Sequence, residues 1–293
     1  MHKVDVSLSS SPDIAAQLRW GSRVIADALP QQDSALLDSK ILLCYCLNCE
    51  QSYLHTWPEK HLTQAQLQQF SALVAQRSVG HPIAHLIGYR DFWSLRLQVT
   101  TATLIPRPET ELVVETALEL SLANNARVLD LGTGTGAIAL ALGKERPAWQ
   151  ISGIDKSHDA VSLARSNAIL NRLERVTFKQ SDWFSQVAQQ QFDLIVSNPP
   201  YVEQQSPYLL EGDVKFEPLS ALTSGEDGLH DIRFIVAQAT QYLSDGAYLL
   251  LEHGYKQDIM VRNIFESNAY ADIKSIVDLN DLPRVTMARF YRK

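Results

Sequence analysis

The stretch Arg127-Val128-Leu129-Asp130-Leu131-Gly132-Thr133-Gly134-Thr135-Gly136 decides the fold. Its aliphatic opening reads as a buried strand. The three alternate glycines let the chain turn sharply and approach a ligand with no Cβ in the way. A helix is expected over residues 137–144. Strand, glycine turn and helix in that order are the setting in which such a turn holds a nucleotide-like ligand. Asp155 stands 19 residues after Gly136, at the end of the next expected strand. A carboxylate there can accept from both hydroxyls of a ribose.

Outward from this point strands and helices alternate. Strands are expected at 151–155, 176–180, 192–197 and 247–252, helices at 159–171 and 256–265, and closing strands at 273–277 and 285–291. Such alternation implies an α/β fold, a largely parallel, doubly wound Rossmann-like sheet with helices on both faces and right-handed connections. Upstream, residues 1–80 read as a small all-α bundle. Leu18, Ile25, Ala28 and Leu29 share one helical face, Leu36, Leu37, Ile41, Leu42, Leu43 and Leu47 form another, and Leu62, Leu67, Phe70, Leu73 and Val74 a third. Asp13, Asp33-Ser34 and Thr63 are the expected N-caps.

His81-Pro82 breaks the helical pattern, and Phe92 to Val99 then alternates at period two, as a strand does. A linking β-hairpin is expected over 86–104. Ile105-Pro106-Arg107-Pro108-Glu109-Thr110 is a stiff connector whose second proline can open a helix running to about Leu122. The expected organisation is a helical domain at 1–85, the hairpin at 86–104 and the sheet domain at 105–293, with the helical domain as a candidate docking surface.

Charge narrows the partners. Residues 1–105 carry eight Lys and Arg against eight Asp and Glu, and residues 106–293 carry 18 against 25. The half that holds the glycine turn is therefore acidic, which weighs against extensive contact with nucleic-acid phosphates. No run of 18 apolar residues is present, so no membrane span is expected. Met1-His2-Lys3-Val4-Asp5 lacks the apolar core of a leader peptide, and a cytoplasmic location is expected. Cys44, Cys46 and Cys49 have no fourth ligand nearby, so they read as helix thiols and no metal is expected.

The glycine turn alone does not choose a ligand, because Gly132, Gly134 and Ala137 also fit the G-x-G-x-x-A pattern of dinucleotide folds. Asp130 and a second motif tip the reading to S-adenosylmethionine. That motif is Asn198-Pro199-Pro200-Tyr201, at the end of the apolar strand 192–197. Two successive prolines donate no N–H and fix φ near −65°. The turn then presents carbonyl oxygens and the Asn198 side chain, a rigid acceptor for a planar –NH2 group. The Asn198 side-chain oxygen and the Pro199 carbonyl can take its two N–H bonds. They hold the weakly nucleophilic nitrogen in line with a methyl–sulfur bond and favour the positive charge that grows there. Tyr201 can wall the pocket and stack on the planar group.

Ser181-Asp182-Trp183-Phe184 follows the third expected strand, over the same sheet edge. Asp182 could accept from an adenine amino group, and Trp183 could cover the ring or donate from its backbone. His253, after the fifth strand, reads as a hydrogen-bonding edge residue. The long segment 203–229 is expected over the substrate site, with Glu226-Asp227 solvated.

These segments resemble the bacterial release factor N5-glutamine methyltransferases, the PrmC/HemK family. The match is carried by Ile105-Pro106-Arg107-Pro108-Glu109-Thr110-Glu111, the turn from Asp130 to Gly136, Ser181 to Phe184, Ser197 to Tyr201, Phe216-Glu217-Pro218, Leu250-Leu251-Glu252-His253-Gly254 and Arg284-Val285-Thr286. The resemblance implies a class I S-adenosylmethionine-dependent fold and methylation of the glutamine side-chain amide in the Gly-Gly-Gln motif of class I release factors. By matching motif, Gly132, Thr133, Gly134, Thr135, Gly136, Asp155, Asp182, Trp183 and Asn198 would bind the cofactor. Asn198, Pro199, Pro200 and Tyr201 would hold the glutamine. A related family that methylates a ribosomal-protein glutamine shares Asn-Pro-Pro-Tyr but carries a serine in the Pro-Arg segment, whereas Pro106-Arg107-Pro108 follows the release-factor pattern. Adenine-N6 methylation of nucleic acid would use the same tetrapeptide, yet it calls for a basic groove and a flipped base.

Overall fold

The computed structural model describes residues 12–31, 33–188 and 190–292. The opening pentapeptide read above for a leader lies outside them. The chain divides into two compact units, residues 1–87 and 88–293.

The first unit is helical: α1 (Ile14–Ala28), α2 (Ala35–Leu47), α3 (Gln51–Thr56), α4 (Gln64–Ser78) and α5 (Ile83–Ile87). Its core gathers Ile14, Ile25, Leu42, Leu43, Leu54, Phe70 and Val74. Asp13 caps α1 by accepting from Ala16 N at 2.6 Å, and Thr63 forms a capping box with Gln66. Ser34 makes no cap. Its hydroxyl donates instead to Asp38, which accepts from Arg77 Nε at 2.8 Å in a buried ion pair joining α2 and α4. The three cysteines are free thiols, and burial pushes Cys44 up to about 12 and Cys46 to about 11.

The second unit opens with a hairpin, β1 (Tyr89–Phe92) and β2 (Leu95–Gln98). The period-two run from Phe92 is thus not one strand. It reverses at Trp93-Ser94, where Trp93 takes φ 56°. Neighbouring helices hold this costly turn: Glu111 accepts from Trp93 N at 2.6 Å, Glu145 accepts from its indole at 2.8 Å, and Lys144 donates to Ser94 O. Phe92, Leu95 and Leu97 are buried in the core of this unit.

There follow α6 (Glu111–Glu119), β3 (Arg127–Leu131), α7 (Ala137–Glu145), β4 (Gln150–Asp155), α8 (His158–Leu170), β5 (Thr177–Gln180), β6 (Phe192–Ser197), α9 (His230–Ala239), β7 (Leu243–Glu252), α10 (Asp258–Ser267), β8 (Tyr270–Val277) and β9 (Pro283–Phe290). Helix α6 stops before Leu122, at Leu120, whose extended backbone ends it. The sheet runs β5-β4-β3-β6-β7-β9-β8. Strands β3 to β7 pair in parallel, and β9 is antiparallel between β7 and β8.

Alternate residues of each central strand feed opposite cores. Val128, Leu194, Val196 and Leu250 pack with α6, α7 and α8, while Leu129, Ile195, Leu249 and Leu251 pack with α9 and α10. Burial on both faces is why these strands read as continuous apolar runs. This is the α/β class I methyltransferase architecture, with a helical unit ahead of it.

Asn167 on α8 ties three parts together. Its side-chain oxygen accepts from Gln98 N at 2.7 Å, and its amide donates to Gln98 O at 3.0 Å and Thr135 O at 2.9 Å. It is fully buried. Asn167→Ala would leave backbone groups of β2 and of the glycine turn unpaired, a loss of at least ~2 kcal/mol. Urea unfolding of the variant checks this, and an unchanged midpoint contradicts it.

Candidate active site

The strand order reverses between β3 and β6: β4 and β5 extend the sheet on one side of β3, and β6 lies on the other. Ligands of open α/β sheets bind at such a switch point, at the carboxyl ends of the strands. In register Leu131 faces Ser197, so the residues that follow, Gly132 and Asn198, leave the sheet side by side. The Ser197 hydroxyl fastens the two strand ends by donating to Leu131 O at 2.6 Å.

The cleft above is open to solvent. Gly132, Thr133, Gly134, Thr135, Asp155, Asp182, Trp183 and Asn198 all line it, as does Pro200. Gly136, Pro199 and Tyr201 are not among its lining residues. Gly132, Gly134 and Gly136 have φ of 68°, 53° and 84°, the left-handed region where L side chains are strained. A Cβ on Gly136 would meet Leu140, Phe178 and Ala164 at 3.1–3.2 Å, so this glycine serves helix packing while the others shape the cleft wall.

Asp155 bridges the turn and the start of α8, accepting from Gly134 N at 3.0 Å and Ser157 N at 2.9 Å. Burial raises its pKa against those two bonds. Trp183 has φ 44°, and its ring lies against Gly132, where a Cβ would approach it to 3.5 Å. Asp182 is exposed at the rim. Asp130 lies beneath the turn, accepting from the Thr133 hydroxyl at 2.6 Å while its Oδ1 has no partner. Burial lifts its carboxyl to about 7.

On the opposite wall the Asn198 amide donates to Thr110 Oγ1 at 3.0 Å. That bond leaves the Asn198 carbonyl oxygen without a hydrogen bond among the described residues. The Tyr201 hydroxyl turns away from the cleft and donates to Glu252 at 3.1 Å. The backbone of the tetrapeptide is gripped as well: Gln257 donates to Tyr201 O at 3.0 Å, and a Cβ on Gly228 would come within 2.3 Å of that oxygen.

The segment from Glu203 to Leu229 includes short turns, and its Ser220 and Ala221 reach the cleft. Glu217 anchors it, accepting from Ile105 N at 3.1 Å and pairing with Arg107, so two distant motifs meet at one buried carboxylate. Asp227 is not merely solvated. It pairs with Arg233 at 2.6 Å and accepts from Leu229 N at the start of α9. His253 is fully buried, with Nδ1 3.0 Å from Gly254 O and Nε2 2.9 Å from Thr286 Oγ1. The carbonyl can only accept, which assigns the proton to Nδ1, and burial lowers the pKa.

Residue-by-residue reading missed Thr103, Thr110 and Glu252. Thr103 lines the cleft, and its buried hydroxyl has no partner. Thr110 and Glu252 lay inside segments quoted for the family resemblance but carried no assigned role.

An S-adenosylmethionine-sized ligand fits these walls. The glycines leave room that a Cβ would fill, Asp155 offers acceptors beside the turn, Trp183 supplies a ring face and the Thr103 hydroxyl is unsatisfied.

Asp130 also yields a test. Its folded pKa lies above the ordinary value of 3.8, so the folded chain holds the proton more tightly than the unfolded one. The stability this gives is present at low pH and is lost as pH rises through about 7. Between pH 5 and pH 8 the wild type should therefore lose more unfolding free energy than Asp130→Asn. Parallel urea-midpoint curves would count against it.

Residues 109–211 match the methyltransferase small domain family, and residues 17–88 match the PrmC N-terminal domain. The chain is 48% identical over 277 residues to a release factor glutamine methyltransferase of Shewanella oneidensis, covering 94% of this chain and 96% of that one. It is 47% identical over 264 residues to a protein of the same name from Escherichia coli, covering 90% and 95%. Among solved structures, a methyltransferase from Pyrococcus furiosus superposes with a TM-score of 0.53 at 16% identity, over 76% of this chain and 98% of that one, a similarity of fold.

Proposed function

Since the chain belongs to the release factor glutamine methyltransferase family, we propose that it methylates the side-chain amide nitrogen of the glutamine in the Gly-Gly-Gln motif of class I peptide chain release factors, with S-adenosylmethionine as donor. The observation that carries this reading is the Asn198 side chain. Its amide is committed to Thr110, so its carbonyl oxygen is left to accept from a planar –NH2 group beside the glycine turn.

S-adenosylmethionine supplies an electrophilic methyl group on a sulfonium centre. The chain's own part is placement. Gly132 and Gly134 would let the turn come close to the cofactor, Asp155 would accept from the ribose hydroxyls, and Trp183 with Asp182 would border the adenine. The Asn198 carbonyl oxygen and the Pro199 carbonyl accept the two amide hydrogens of the glutamine. This aims the nitrogen lone pair at the methyl group and favours the charge that builds on nitrogen. The nitrogen would gain the methyl as the methyl–sulfur bond breaks and a neutral thioether leaves, and the N–H made acidic by the new bond would then lose its proton to water, so no strong base has to act first. Tyr201 acts through its hydroxyl, which donates to the buried Glu252.

The acidic balance of residues 106–293 speaks for a protein substrate over nucleic acid. A cytoplasmic location accords with a partner from translation. No helix among the described residues is long and apolar enough to cross a membrane.

Asn198→Ala should lower turnover ~10²- to 10³-fold, the cost of removing one oriented hydrogen-bonding group, with a smaller loss in cofactor affinity. Asp155→Ala should act mainly on the cofactor KM. Steady-state kinetics with titration of the cofactor decide between them. Equal losses of turnover and affinity in Asn198→Ala would contradict the amide-holding role.

The helical unit is the proposed docking surface, and Trp20, Leu36, Leu37 and Trp57 are large apolar side chains exposed on it. Replacing Trp20 and Trp57 by Ser should raise the KM for a folded release factor while sparing a short Gly-Gly-Gln peptide. Equal effects on both substrates would remove the docking role.

A further inference from the structure

Glu252 is the last residue of β7, 1% exposed, and no step above uses it. Its Oε1 accepts from the Tyr201 hydroxyl at 3.1 Å, while its Oε2 is buried and meets no partner at full hydrogen-bond geometry, with the Thr110 hydroxyl close enough to favour its charge. Close by stands Thr110, whose hydroxyl oxygen takes the Asn198 N–H at 3.0 Å. The remaining charged groups that bear on the carboxyl are Glu109, before α6, and Arg284, on β9. Four residues from three places in the sequence thus converge on one buried acid behind the acceptor wall.

We propose that Glu252 is a positioning residue for methyl transfer: its ionised carboxylate holds the Tyr201 hydroxyl and faces Thr110, and so fixes the turn and the side chain that present the Asn198 carbonyl oxygen to the acceptor amide. This rests on the reading of Asn198 given above.

The chemistry follows from hydrogen-bond polarity. An ionised carboxylate only accepts, so hydroxyl protons beside it point toward it. Thr110 then keeps its lone pairs for the Asn198 N–H, and the Asn198 amide cannot flip without losing that bond. A protonated Glu252 carries a donor of its own, which competes for Thr110 and loosens this order. Burial raises the carboxyl to about 7, with Glu109 adding to the rise and Thr110, Tyr201 and Arg284 opposing it. The ordered form is therefore the one above about pH 7 and is lost as pH falls. The acceptor amide does not titrate there. Asp130 does, but it lies on the cofactor side under the glycine turn.

The test compares wild type, Glu252→Gln and Asn198→Ala on a release factor, with kcat measured at saturating cofactor from pH 6 to 9 and the cofactor dissociation constant measured by titration calorimetry. The expected result is a wild-type kcat that falls on the acid side of about pH 7. In Glu252→Gln that acid limb disappears, and kcat at pH 8 is ~10- to 100-fold lower, the cost of a small misplacement of reacting groups. Cofactor affinity should stay within about threefold, since Glu252 is not a cofactor contact; a misplaced nitrogen costs turnover rather than ground-state binding. An unchanged kcat and pH profile in Glu252→Gln overturns the proposal, as does a loss of cofactor affinity equal to the loss of kcat. Should Glu252→Gln melt below the assay temperature, Tyr201→Phe, which deletes one hydroxyl of the network, is judged by the same kcat and affinity criteria. Full turnover in Asn198→Ala would instead sink the reading of the acceptor site. Loss at Asn198 with none at Glu252 sinks the role of Glu252 alone.

Discussion

Everything in this site depends on the parallel pairing of β3 with β6, which brings Leu131 level with Ser197. The two strands diverge in topology at that point, so no helix crosses over their carboxyl ends, and a cleft is left there. One strand continues into three left-handed glycines, the other into two prolines. The first sequence can approach a ligand closely, and the second cannot donate from its backbone. One edge thus gains a surface that a ligand can approach closely and, beside it, a backbone that only accepts hydrogen bonds. The Ser197 hydroxyl on Leu131 O fixes their spacing.

Around that edge the protein places buried carboxyl groups at a cost. Asp130 and Glu252 are both buried with one oxygen lacking a partner at full hydrogen-bond geometry, and burial lifts both to about 7. Glu217 is buried too, but Arg107 and Ile105 N satisfy it. A fold optimised for stability alone would exchange such groups for apolar ones. Their positions explain their presence. Asp130 holds the glycine turn through Thr133, Glu217 ties the connector at Arg107 to the long segment over the cleft, and Glu252 stands behind Asn198. Each acid orders one wall of the site.

Much of this was legible in the sequence, for identifiable reasons. Burial on two faces makes apolar runs of β3, β6 and β7, and positive φ demands the glycines at 132, 134 and 136, so fold class and the glycine turn at the cleft could be read directly. The hairpin turn could not. Trp93-Ser94 lacks the Gly or Asn that such turns favour, and it is held by Glu111, Glu145 and Lys144 rather than by its own propensity. Ser34 looked like a cap, yet Asp38, already drawn into the buried pair with Arg77, takes its hydroxyl. Tyr201 read as a pocket wall, whereas its hydroxyl is drawn inward to Glu252. That partner lies 51 residues away, and Thr110 lies 88 residues from Asn198. Side-chain partnerships over such separations leave no periodic trace in a sequence.

The central claim is that the acceptor is one glutamine amide of a release factor. Incubating the protein with methyl-labelled S-adenosylmethionine and a purified class I release factor, beside a copy whose Gly-Gly-Gln glutamine is replaced by alanine, tests it most directly. The account predicts label on the glutamine of the first and none on the second. Equal label on both, or none on either, would contradict it.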